Sequence, residues 1–178
     1  MCRVAILVLA GLLAACSPKF DWREVRPPDA GFVVALPGRP NVETRTLDFA
    51  GGKVAMTMAS AGIGATLFAA GAASLSPAAL APDKIDSTVD WFRAALLRNV
   101  GAAEGRSEPA PALRGVTTRA ATAVTASGRR GTDGLAVQLA ARFYVVDDRL
   151  YQVVALGAAG EIPPQALETF FDSFRLVR

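Results

Sequence analysis

The sequence predicts an α+β domain, a central antiparallel sheet with helices packed on it, and three observations carry that expectation. Short segments of alternating or continuous apolar character recur between clusters of glycine, proline and aspartate, the pattern of strands joined by turns. Two stretches instead place apolar residues at helical spacing: Val89, Phe92, Leu96 and Val100, and later Leu167, Phe170, Phe171 and Phe174 at i, i+3, i+4 and i+7. Between these helices, residues 135–146 and 150–156 flank Asp147-Asp148, which reads as a tight hairpin.

The elements follow in order from residue 31. Phe32-Val33-Val34-Ala35-Leu36 is apolar on both alternating faces and is stopped by Pro37-Gly38, as a strand covered on each side requires. Residues 42–49, 53–60 and 66–73, separated by turns at Gly51-Gly52 and at Gly62 to Gly64, predict a meander of hairpins. Residues 54–82 contain no charge, yet Val54, Met56 and Met58 alternate with smaller residues, Gly62, Gly64 and Gly71 weaken any helix, and Pro77 interrupts the run. A buried hairpin explains this stretch better than a membrane-spanning helix. A helix capped by Asp86 or Ser87 then ends at Gly101, and residues 116–126 read as a long strand. Pro163 and Pro164 open the final helix, whose Glu168, Asp172 and Arg175 fall outside the apolar stripe.

The first sixteen residues have a different logic. Arg3 precedes an apolar run from Val4 to Leu13 and the small pair Ala14-Ala15, which is the shape of an export signal. That run is too short to span the roughly 30 Å of a bilayer core, which takes about 20 helical residues. Leu13-Ala14-Ala15-Cys16 matches the lipobox, and here the chain resembles bacterial lipoproteins as a class. The resemblance implies recognition by lipoprotein signal peptidase at Leu13, Ala14 and Ala15, cleavage before Cys16, and a thioether to diacylglycerol on the Cys16 sulfur. Residues 1–15 are then a signal peptide, 16–30 an acylated tether with an edge strand near Trp22, and 31–178 one domain. Each buried methylene contributes about 0.8 kcal/mol, so two or three acyl chains hold a soluble domain durably at a membrane. Ser17 follows the cysteine where an aspartate favours inner-membrane retention, so the outer membrane is the expected residence, with the domain in the periplasm.

Composition limits the chemistry. The chain has no histidine and, besides Cys16, only Cys2, which lies in the leader. Ser-His-Asp and Cys-His machinery and the common zinc sites are therefore excluded from the mature domain. The net charge of +3 is no nucleic-acid footprint. Asp147-Asp148 and the i,i+4 pair Asp86 and Asp90 have the chemistry for a hard cation or acid–base work, but a hairpin turn and a helix N-terminus each favour aspartate for local backbone reasons. Gly62-Ile63-Gly64 lacks the residues that complete a phosphate loop and reads as a turn. Arg129 and Arg130, with Arg119 and Arg142, have the charge to meet an anionic surface, against the plainer reading of solvated charge. Phe20 and Trp22, close to the anchor, suit a membrane interface, against a plain tether.

Three further patterns carry a second resemblance. Gly31-Phe32-Val33-Val34-Ala35-Leu36-Pro37-Gly38-Arg39-Pro40, Asp148-Arg149-Leu150-Tyr151-Gln152-Val153 and Phe170-Phe171-Asp172-Ser173-Phe174 are together similar to the fold family of PsbP and DcrB. That resemblance implies an α/β/α sandwich, an antiparallel sheet between helices, and a non-catalytic accessory or binding protein. No cofactor or metal follows from it, because no matching histidine or carboxylate cluster is present. The expectation is a lipid-anchored periplasmic accessory protein held to the membrane through Cys16, with an envelope protein as partner and no nucleic acid. Two alternatives stand beside it. One is a small-ligand carrier with a cavity between sheet and helix lined by Phe68, Phe92 and Phe143, suggested by the small side chains of Ala69 to Ala73. The other is a carboxylate-dependent enzyme using Asp147 and Asp148.

Overall fold

A computed structural model describes residues 20–49 and 52–177. The leader, Leu13, Ala14, Ala15 and Cys16 lie outside the described residues, as does Gly51. Strand β1 (Trp22–Val25) pairs with β2 (Phe32–Pro37), which also pairs with β10 (Arg175–Leu176), giving a small antiparallel sheet of order β1-β2-β10. The main sheet has seven antiparallel strands in the order β3-β4-β5-β9-β8-β7-β6. Its members are β3 (Asn41–Phe49), β4 (Gly52–Ile63), β5 (Thr66–Ser74), β6 (Arg106–Pro109), β7 (Ala120–Arg129), β8 (Ala136–Val146) and β9 (Arg149–Ala158). Helix α1 (Ile85–Asn99) and helix α2 (Pro164–Ser173) complete the described elements.

The period-2 pleat sends alternate side chains to opposite faces, and here each face has its own core. On one face Val54, Phe143, Val145, Leu150 and Val154 meet Val89, Phe92 and Leu97 of α1. On the other, Phe68, Tyr144, Val153 and Ala155 meet Phe32, Val34 and Leu36 of β2 and Phe170, Phe171 and Phe174 at the end of the chain. Each aromatic or branched side chain buried this way contributes roughly 1.5–3 kcal/mol. β5 carries Ala69, Ala70, Ala72 and Ala73 with Gly71, all buried. Small residues also leave room for the side chains of the neighbouring strand: a Cβ at Gly71 would lie 2.7 Å from Cε of Met56 on β4.

This architecture overturns the expected α/β/α sandwich. Among the described residues 49% are strand and 16% helix, so the domain is predominantly a seven-stranded antiparallel sheet, not a sheet flanked by helices. The physical reason lies in β2: its apolar run pairs with β1 and β10 and forms a second sheet, which takes the covering place that a helix was expected to fill. The ten-residue α2 is too short to cover a seven-stranded face and packs on β2, its Phe170 ring 5.0 Å from that of Phe68. The four-residue strand Arg106-Ser107-Glu108-Pro109 was not expected either. It is exposed throughout, and its apolar signal is absent.

Smaller departures concern ends. α1 starts at Ile85, so Asp86 and Ser87 lie inside its first turn and neither caps it; Ser87 Oγ donates to the Lys84 carbonyl at 2.9 Å. β7 begins at Ala120, four residues after the expected start, because residues 116–119 belong to a loop in which Gly115 takes φ 68°. Residues 54–82 form most of β4, all of β5 and a turn region. Among the described residues no helix is long and apolar enough to cross a membrane.

The end of α1 is locked against the edge of the sheet through glycine. A Cβ on Gly128 would lie 2.1 Å from the carbonyl oxygen of Val100, and one on Gly101 would lie 2.4 Å from that of Arg129. Backbone thus meets backbone where any side chain would force the two apart. Gly128→Ala is expected to destabilise the fold by about 1–3 kcal/mol, the usual cost of overpacking. Gly131→Ala, on an exposed loop with nothing within 4 Å of its Cβ, is the matched control. Urea denaturation of both variants checks this, and equal midpoints would contradict the lock.

Candidate functional site

The residues singled out in the sequence are dispersed. Asp147 and Asp148 form the two-residue turn between Val146 and Arg149, exposed at the sheet's end, with Asp147 at φ 52° and the Asp148 carbonyl accepting from the Leu75 amide at 2.8 Å. Asp86 and Asp90 both point to solvent, and Asp90 is paired with Arg93 at 3.0 Å. Among the described residues no group of three histidine, cysteine, aspartate or glutamate side chains is placed to hold a metal ion. Gly62 and Ile63 are strand residues, and Gly64, at φ 57°, turns the β4–β5 hairpin.

The expected ligand cavity does not form where Phe68, Phe92 and Phe143 suggested it. Phe68 belongs to one core and Phe92 and Phe143 to the other, so the sheet itself separates them. All three are buried, and the space left by Ala69 to Ala73 is filled by neighbouring layers. Phe20 and Trp22 are not strung along a tether. Their rings stack at 5.6 Å, and Trp22 meets the buried Phe68 edge-on at 5.7 Å.

The four arginines are also spread out. Arg129 donates to the Gly134 carbonyl at 3.1 Å, and Arg119 to the Leu80 carbonyl at 2.7 Å. Arg130 is paired with Asp133, whose carboxyl is lowered to about 2 by that hydrogen bond and by the Leu135 amide. Arg142 is different. It extends from β8 on the face that carries the small sheet, and its guanidinium lies 4.2 Å from the centre of the Phe171 ring. Residue 142 alternates with Ala141 and Phe143, which enter the α1 core, so the pleat puts it on the opposite side.

That side is unevenly covered. Val153 and Ala155 of β9 are fully buried, whereas Thr125 and Ser127 of β7 are exposed on the same face. The β1-β2-β10 sheet and α2 end before they reach the outer strands, leaving a groove floored by β7 and β8. One part, about 690 Å³, lies over Thr125, Ser127, Gln138 and Ala140 and is walled by Ile162 and Leu167. The next, about 580 Å³, contains Arg142, Tyr144 and Phe171, with Arg114, Asp172 and Arg175 around it. Both volumes fall in the range of small-ligand sites, roughly 300–1,000 Å³. The two parts adjoin, since Ala140 and Arg142 are successive same-face residues of β8 and Leu167 and Phe171 are one helical turn apart.

The groove's far wall is the loop over residues 110–116, tied down by Leu113 and Val116 packing on the core and by the Tyr144 hydroxyl, which donates to the Pro111 carbonyl at 3.1 Å. Burial raises the Tyr144 phenol above its ordinary 10.0, opposed by the charge of Arg142. Sequence reasoning named Arg142 only among four surface arginines and missed Arg114, Arg175 and Phe171 as its neighbours. The signal that was present is the i, i+4 relation of Leu167 and Phe171 beside an arginine in a mostly apolar strand.

No family model matches this chain, and no curated protein matches it. Among solved structures, one of a Pseudomonas aeruginosa protein of unknown function is similar at a TM-score of 0.37 and 12% identity, over 83% of this chain and 86% of that one. A likeness that loose bears on neither fold nor function.

The tyrosine makes a testable link between wall and sheet. Because the folded chain holds the phenol proton more tightly than the unfolded chain does, its contribution to stability is full below pH 10 and falls as pH rises through the raised value. Tyr144→Phe is expected to lose about 0.5–1.5 kcal/mol at neutral pH, from the missing hydrogen bond, and to flatten the decline above pH 10. Urea midpoints at pH 8 and at pH 11 for both proteins measure it; a parallel decline in the two would remove Tyr144 from the alkaline transition.

Proposed function

We propose that this protein is a lipid-anchored periplasmic domain that works by binding, as an accessory of an envelope component, rather than by catalysis. The observation that carries the proposal is the lipobox Leu13-Ala14-Ala15-Cys16 after its apolar run, set four residues before Phe20. At about 3.3–3.6 Å per residue, the link from Cys16 to Phe20 reaches at most roughly 14 Å. A domain acylated at Cys16 therefore stays close to the headgroups, with its Phe20 and Trp22 end toward the bilayer. Ser17, lacking the aspartate retention signal, favours the outer membrane.

The binding part of the reading is supported by the groove over β7 and β8 and by the lack of histidine in the chain. Asp147 and Asp148, the alternative catalytic pair, stand on an exposed turn at an open hollow of about 580 Å³ that they share with Asp29 and Arg149. The wild-type chain expressed in a Gram-negative host is expected in the membrane fraction with its N-terminal peptide carrying acyl mass, and Cys16→Ser in the soluble fraction. Co-fractionation of Cys16→Ser with the wild type would end the anchor reading. Crosslinked pull-down of the wild type is expected to recover one stoichiometric envelope partner, less of it without the anchor.

A further inference from the structure

We propose that the groove binds an oxyanion carried on an apolar chain, with the guanidinium of Arg142 as the anchor for the anion. This deepens the binding role proposed above by naming a ligand class, and it does not depend on the acyl anchor. The argument starts from the state of Arg142. It is half-buried, and removing a charge from water is costly unless something compensates. Phe171, face-on at 4.2 Å, supplies part of that compensation. Ion pairs elsewhere in the domain engage Arg23, Arg45, Arg93, Arg106, Arg130 and Arg175, but among the described residues none includes Arg142. A guanidinium over a ring, with one contact to the Tyr144 hydroxyl and no carboxylate partner, keeps further N–H donors for a carboxylate or phosphate, which it meets in a planar fork.

The surroundings agree in sign. Arg114, on the exposed loop, and Arg175, held by Glu24 at 2.6 Å, line the same part of the groove, against Asp172 as its one carboxylate. The neighbouring part is floored by Ala140 and walled by Ile162 and Leu167, and its lining also holds Glu104 and Arg106, whose opposite charges leave it no net charge against an apolar chain. An amphiphile with an anionic head therefore fits the groove end to end: the head at Arg142, the apolar body along Ala140 and Leu167. From Gln138 to Tyr144 the floor is about 20 Å long, which suits an extended chain.

Intact lipoprotein purified in a nonionic detergent is titrated by calorimetry with hexanoate, hexyl phosphate and hexylamine at low salt. Hexanoate or hexyl phosphate is expected to bind and hexylamine not to, and the stronger of the two anions identifies whether the physiological head is a carboxylate or a phosphate. Arg142→Gln is expected to weaken anion binding at least tenfold. Arg114→Glu, on an exposed loop and so neutral for folding, is expected to weaken it about threefold, which keeps the test valid if Arg142→Gln is unstable. Hexylamine binding as well as hexanoate, or anion binding unchanged in Arg114→Glu and in a folded Arg142→Gln, overturns the proposal. A partner recovered by pull-down together with absent anion binding would leave the binding role in place and remove this site.

Discussion

The contact of Phe174 with both sheets is what most of one face depends on. Its ring lies 5.6 Å from Phe32 of the small sheet and 6.0 and 6.1 Å from Tyr151 and Tyr144 of the main sheet, stacked flat on the last of these. An aromatic pair contributes about 0.5–1.5 kcal/mol beyond its buried area, and here one side chain makes three such pairs. Because Phe174 sits between α2 and β10, placing it fixes both the helix that walls the groove and the strand that completes the small sheet. Ser173 reinforces the same joint, accepting from the Ala35 amide at 2.9 Å while donating to the Phe170 carbonyl at 2.6 Å.

Local pattern revealed the strands and helices well and their layering poorly. β2, β3, β5, β8 and β9 begin and end within a residue or two of where alternation and turn residues put them, because each carries its own period-2 signal between its own stops. The helical stripe at Leu167, Phe170, Phe171 and Phe174 was equally plain. What no local pattern encodes is which strand pairs with which. The run from Phe32 to Leu36 reads as covered on both faces, and it is buried along nearly its whole length. Yet the same pattern suits a central strand of the main sheet and a strand of a second layer, and only long-range pairing with residues 22–25 and 175–176 separates the two.

The groove was harder to see for a related reason. It arises where coverage stops, and coverage is a property of two layers that lie far apart in the chain. β7 supplies small or polar residues on the open face, Ala121, Ala123, Thr125 and Ser127, a sequence that by itself reads as any half-exposed strand. Arg142 interrupts an apolar β8 strand, which is a stronger hint, but its partner Phe171 lies in another element and the distance between them is a tertiary fact. The cavity expected between Phe68, Phe92 and Phe143 failed by contrast on topology alone. Phe68, Phe92 and Phe143 look alike in sequence, and the pleat assigns Phe68 to one side of the sheet and the other two to the opposite side.

The end proposed to face the bilayer and the groove are joined by a short mechanical path. Trp22 and Glu24 are on the same four-residue strand β1; Glu24 pairs with Arg175 at the groove's rim, and β10, which carries Arg175, hydrogen-bonds to the same strand β2 that β1 does. The Glu24–Arg175 pair is exposed and worth little by itself, about 0–1 kcal/mol. The sheet pairing carries more, since shifting β1 by one residue against β2 would turn Trp22 away from Phe68. A short acylated link at Phe20 would therefore act first on the small sheet, with which neither β7 nor β8 of the main sheet is paired. Under the proposed anchoring, the groove's floor would lie on β7 and β8, strands with which β1 does not pair, while its rim at Arg175 would stay joined to β1 through β2 and Glu24.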